Sequence, residues 1–86
     1  MFYVYILKSK KDNKLYIGYT NDLKRRLAEH KRGSSLNTSY RLPIELIYYE
    51  SYKNIEDAKE REISFKSSGS VYNGLVKRIK RSIKGD

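Results

Sequence analysis

The chain has 86 residues, enough for one domain with a modest core, because short chains bury a smaller fraction of their surface. Nineteen Lys and Arg against ten Asp and Glu leave a net charge of +9, which favours a polyanionic partner: DNA, RNA or an anionic membrane surface. The absence of cysteine excludes disulfides and thiolate metal sites, and no apolar run reaches the roughly 18 residues that a membrane helix needs.

Residues 2–8 and 14–20 are rich in Tyr, Val and Ile, which suits strands. The first of these, Phe2-Tyr3-Val4-Tyr5-Ile6-Leu7, follows directly on Met1, with no basic region before it and no small-residue cleavage site after it. It therefore reads as a strand and not as a signal peptide, and the chain is expected in the cytoplasm. Lys8 to Lys14 form a polar link with Asp12-Asn13 as turn residues, so the two strands form an antiparallel hairpin. Tyr16 and Gly18 alternate onto one sheet face, where the glycine leaves room for a backbone or phosphate to approach. Tyr5 shares a face with Tyr3 and Leu7, and the hairpin can bring Tyr5 and Tyr16 together. Nine tyrosines are a high load, and the ordinary fate of each is a core or half-buried strand position.

Thr20 or Asn21 can cap a first helix over about 22–32. At about 100° per residue, Leu23 and Leu27 form its apolar stripe, with His30 close to Leu23 in angle and Arg26 at the stripe's edge. Arg26 is either a packed surface stem or a group aimed at a ligand. Lys24 and Arg25 are the solvent-side cations. Gly33-Ser34-Ser35 ends this helix and opens a polar loop over 34–42, whose hydroxyls, Tyr40 and Arg41 suit a nucleic-acid backbone as well as plain exposure. After Pro43 a third strand runs from Ile44 to Ser51.

Asn54 can cap a second helix over about 55–67 with Ile55, Ala58 and Phe65 as its apolar stripe. Glu62 falls inside that stripe, where a carboxylate costs several kcal/mol unless it is paired, hydrogen-bonded or metal-bound. The choice is between a salt bridge to Arg26 or a nearby lysine and a ligand for a hard cation such as Mg²⁺. Ser68-Gly69-Ser70 breaks the helix, and a third runs over about 71–84. Its Val71, Leu75, Val76, Ile79 and Ile83 share one side, and Lys77, Arg78, Lys80, Arg81 and Lys84 the other. Five cations without an acid suit phosphate contact as well as solvation. The order β-β-α-β-α-α implies an α/β fold: one domain over 1–86, with a small, largely antiparallel three-stranded sheet flanked by helices.

The degenerate Tyr3-Val4-Tyr5, the intact Tyr16-Ile17-Gly18, Arg26 ten positions after Tyr16 and His30 one turn later resemble the GIY-YIG endonuclease superfamily, in particular its small single-domain bacterial branch. The resemblance covers about Tyr3 to Phe65. It implies a DNA endonuclease in which Tyr5, Tyr16, Arg26, His30 and Glu62 form one catalytic site and Glu62 holds Mg²⁺ or Mn²⁺. It further implies DNA as partner (RNA as a second option), no small-molecule cofactor, a monomer or homodimer, and a role in DNA repair or processing. Arg25, Arg41, Lys77, Arg78, Lys80 and Arg81 are the expected nucleic-acid contacts. Two positions depart from the family's pattern. Tyr19 stands where many members have a lysine. Asn73 lies where many have a late asparagine, but it points away from the helix's apolar side. A weakly active or inactive nucleic-acid-binding module of the same fold and a small basic scaffold that binds ribosomal or other RNA are the competing readings.

Overall fold

The middle strand of the sheet is the N-terminal one. The computed structural model describes residues 1–85. In it β1 (Phe2–Ser9) pairs antiparallel with both β2 (Leu15–Thr20) and β3 (Ile44–Tyr52), giving the order β2-β1-β3. A central strand is covered on both faces, which is why Val4-Tyr5-Ile6-Leu7 is apolar without alternation and fully buried. Val4 and Ile6 join Ala58, Phe65 and Leu75 in one core cluster; Tyr5 and Leu7 join Ile44, Leu23, Leu27 and Leu46 in another.

Helices supply the two covers. α1 (Leu23–Lys31) lays Leu23 and Leu27 on the Tyr5 side. α2 (Ile55–Ser67) and α3 (Gly69–Arg78) cover the Val4 side with Ala58, Phe65 and Leu75, and a short α4 (Lys80–Lys84) follows. The α/β three-stranded antiparallel architecture is the expected one.

Four details differ from expectation. The cap of α1 is Asp22, whose side chain accepts from the Arg25 amide; Thr20 instead braces that turn, its hydroxyl accepting from the Asp22 amide at 3.1 Å. The 34–42 loop holds a 3₁₀ turn, Ser39–Arg41. Gly69 and Ser70 lie inside α3, because Ser68 stops α2 and caps α3 by accepting from the Val71 amide. The long third helix is in fact two, broken at Ile79 (φ −111°, ψ 25°), and α4 is tied back to the sheet by Lys8, whose ammonium donates to the Ile83 carbonyl.

A register irregularity between Ile6 and Leu7 leaves Ile47 unpaired on β3, so Ile44 and Leu46 face one cluster while Tyr48 and Tyr52 face the other. The same strand carries Glu50, whose carboxylate receives both Arg61 nitrogens, Nε at 3.0 Å and Nη2 at 3.2 Å, and the hydroxyls of Tyr48 and Tyr52. Burial alone would raise the Glu50 pKa, but the bonds from Arg61, Tyr48 and Tyr52 outweigh it and hold the carboxyl below its usual value. The Arg61–Glu50 pair ties α2 to the sheet, and Arg61 also lies over the Phe65 ring one turn on in the same helix, 4.2 Å from its centroid.

Candidate active site

The candidate site lies along β2, beside α1 and the 34–42 loop. Its floor follows from strand register. Tyr5 pairs with Gly18, and Tyr16 with Leu7, so the two tyrosines are diagonal neighbours on one face with ring centroids 6.4 Å apart. A Cβ on Gly18 would stand 2.4 Å from both Cζ and the hydroxyl oxygen of Tyr5. The space above Gly18 is therefore filled by the Tyr5 ring; the expected opening for a phosphate at this glycine is corrected by that packing.

α1 contributes the third ring. His30 stands 5.7 Å from the Tyr5 ring and 5.4 Å from the Tyr16 ring, centroid to centroid. The helix ends right after it, with the Gly33 amide bonded to the His30 carbonyl and the Ser34 amide to the Glu29 carbonyl, a Schellman closure that uses Gly33 at φ +78°. That closure turns the 34–42 loop back over His30. The imidazole is fully buried, with Nε2 2.9 Å from the Tyr5 hydroxyl and Nδ1 2.7 Å from the Thr38 hydroxyl.

The protons of this chain can be assigned. Burial, reinforced by the Arg26 charge, holds the His30 pKa below its usual value, so the ring is neutral at neutral pH. Burial first, then the neighbouring Tyr16, pushes the Tyr5 phenol up to about 12, against the opposing hydrogen bonding and charge of Arg26. Arg26 has only donors, so the Tyr5 proton goes to His30 Nε2, and Nδ1–H donates to Thr38. Thr38 was not singled out in the sequence; one hydroxyl among several in a polar loop carries no mark of its partner.

The expected NMR result is a single-histidine titration below the usual histidine value in the folded chain. The unfolded state binds a proton below about pH 6.5 where the folded state does not. Stability contributed by this group is therefore complete above that pH and falls as pH drops. A His30 pKa of 6.5 or higher in the folded protein would contradict the assignment.

Arg26 donates to Glu29 at 2.9 Å and to Ser35 at 3.3 Å, which aim its guanidinium; the Glu29 bond first, then Tyr5, raises its pKa against the opposing effect of burial. The same pair holds Glu29 below the usual carboxylate range. Tyr16 differs from Tyr5 in access: Asn37 donates to its hydroxyl at 3.3 Å in an exposed bond, and the residue borders an open groove of about 350 Å³ at the β2 edge with Phe65, Lys66 and Tyr72.

Glu62 sits at the rim of that region and not in the core. Its side chain is 22% exposed and accepts from Lys66 at 3.1 Å. The stripe reading is corrected accordingly: α2 crosses near the β2 edge, so the stripe's flank meets solvent. Glu62 is nevertheless close enough for its charge to act on Tyr5. Tyr5, Tyr16, Arg26 and His30 are thus brought together, with Glu62 at their border.

The other candidates lie apart. Arg25 is exposed and 3.9 Å from Asp22. Arg41 is half-buried against the Tyr40 ring. Lys77, Arg78, Lys80, Arg81 and Lys84 are exposed along α3 and α4 and form no ion pair among the described residues. Asn73 is exposed on α3 next to Tyr72, outside the ring cluster. Tyr19 packs into the core on the opposite sheet face.

A family model described as the GIY-YIG catalytic domain matches residues 1–80. Among similar proteins are UPF0213 proteins of Streptococcus pyogenes, one from serotype M5 (strain Manfredo) and one from serotype M1. Each is 48% identical over 65 residues, a stretch covering 74% of this chain and 70% of the relative. No solved structure matches the chain significantly.

Proposed function

Because this chain belongs to the GIY-YIG catalytic domain family, a family of nucleases, we propose that it is a metal-dependent endonuclease that hydrolyses phosphodiester bonds in DNA, in repair or processing. The observation that carries the reading is the junction of a half-buried phenol, Tyr16, whose hydroxyl bond to Asn37 is exposed, with the Arg26 guanidinium already paired to Glu29, and with a second carboxylate, Glu62, whose charge reaches Tyr5.

The donor set fits a hard cation. Among the described residues no three acids or histidines gather into a ready-made metal cage. One carboxylate plus waters and substrate phosphate is the arrangement that Mg²⁺ accepts, and Mn²⁺ shares its preference for oxygen. Glu62 would hold the ion, exchanging Lys66 for it. When bound, the ion would neutralise the scissile phosphate and the leaving oxygen.

The chain's own residues then divide the work. Arg26, aimed by Glu29 and Ser35, keeps N–H groups for a phosphate and stabilises the charge that grows on it. Tyr16 positions the attacking water and accepts its proton. Tyr5 keeps its proton and, through His30 and Thr38, fixes the floor against which Tyr16 stands. Lys77, Arg78, Lys80, Arg81 and Lys84 add phosphate contacts along α3 and α4.

Tyr16→Phe is expected to lower the cleavage rate of labelled DNA about 10²-fold or more, and Tyr5→Phe clearly less, with a larger loss of thermal stability from the stranded His30 nitrogen. Equal cleavage by wild type and Tyr16→Phe would remove Tyr16 from the chemistry. The competing reading, an inactive binding module, draws on the Glu62–Lys66 pair that already occupies the carboxylate.

A further inference from the structure

The sheet face that carries Tyr5 continues past it into a second, unused feature. Tyr3, two residues before Tyr5 on β1 and so about 7 Å along the strand, lies on the same face. Tyr49 pairs with Tyr5 across β1 and β3. The Tyr3 and Tyr49 rings meet edge to face, 6.1 Å between centroids at 64°, and with Leu23 and Leu27 of α1 they line an open cavity of about 450 Å³. Lys24 and Asn21 form its polar rim. Asp22, also on the rim, is already engaged as the cap of α1. Tyr49, on the edge strand β3, is 53% exposed.

Core packing does not require these two rings to stand around open space. An aromatic floor, a cationic rim and a side chain able both to donate and to accept at a base edge are the elements that hold an unstacked nucleobase. A chain of net charge +9 brings a nucleic-acid strand to this face, and Lys24 meets the phosphate beside the base. We propose that the Tyr3–Tyr49 cavity takes one unpaired base of the substrate strand, next to the phosphate held at Arg26. The assignment rests on the nuclease reading for its position in the substrate, and it narrows that substrate to DNA with unpaired nucleotides at the cleavage point: single-stranded, flapped or branched rather than closed duplex.

The test is binding in EDTA, where no cleavage intrudes, using a short single-stranded oligonucleotide with one 2-aminopurine and a blunt duplex of the same sequence. Wild type should quench the 2-aminopurine and bind the single strand more tightly than the duplex. Tyr49→Ala should lose the quenching and about ten-fold in single-strand affinity, with duplex affinity unchanged. Tyr49 is exposed, so this variant keeps the core intact; Tyr3→Leu, which retains bulk but no ring for stacking, serves as the second variant and should behave alike. Unchanged quenching and affinity in both variants would overturn the assignment. Wild type that quenches strongly, loses it in Tyr49→Ala, and cleaves no DNA would uphold the cavity as a base site and sink the nuclease reading instead.

Discussion

Glu62→Gln is expected to abolish metal-dependent cleavage, by roughly 10³-fold, while DNA binding stays equal or tightens. The size follows from the several kcal/mol of transition-state charge stabilisation that a bound divalent ion supplies, at 1.36 kcal/mol per factor of ten. The direction of the binding change follows from removing a carboxylate that repels phosphate. A merely structural Glu62 predicts something else. Its pair with Lys66 is half-exposed, lies at i,i+4 on α2, and contributes a fraction of a kcal/mol to stability. In that case Glu62→Gln and Lys66→Met would act alike, each with a small effect. The account requires them to separate: Lys66→Met keeps a metal-dependent rate, Glu62→Gln does not. Matched rates and binding for the two variants would place the carboxylate outside the chemistry.

Gly18→Ala should be the most damaging small substitution in the sheet. The new methyl would stand 2.4 Å from Tyr5 Cζ, and the ring has nowhere to go, since its hydroxyl is held by His30 and its body is buried. Overpacking of this kind costs about 1–3 kcal/mol. It also displaces Tyr5 from His30 and so disturbs Tyr16, whose ring leans on both. The expected result is a lowered melting temperature together with a cleavage rate reduced beyond what Tyr5→Phe alone causes. The cause is checked by a double-mutant cycle: in a Tyr5→Leu background, Gly18→Ala should lose most of its cost, because the clashing atoms are gone. An additive pair would contradict the explanation.

The order of strands and helices was legible because each segment carries its own local signal. The runs around Tyr5, Tyr16 and Tyr48 are β-formers, and Leu23/Leu27 and Ala58/Phe65 repeat at helical spacing. What was illegible depends on partners distant in the chain. Thr20, Asn21 and Asp22 are all able to cap a helix, and only the Arg25 amide decides for Asp22. The unpaired Ile47 exchanges the two faces of β3, which alternation alone cannot reveal. Helix angle put Glu62 in the apolar stripe, but the stripe's width against a three-stranded sheet sets how far its flank is covered, and there it is covered only in part. Likewise, Gly18 as a site of close approach was readable, while the identity of the approaching group, the Tyr5 ring, required the register. Of the candidate site, the residues joined by the family resemblance were readable as a set. Thr38, Ser35 and Glu29, which aim His30 and Arg26, were not, because their partners lie across a loop or along a helix face crowded with other polar groups.

The most direct measurement is incubation of the wild-type chain with end-labelled single-stranded, duplex and branched DNA in Mg²⁺, in Mn²⁺ and in EDTA. The account predicts shortened products with either cation and none in EDTA. Intact DNA in every lane, alongside salt-sensitive binding, would contradict it and leave a nucleic-acid-binding module.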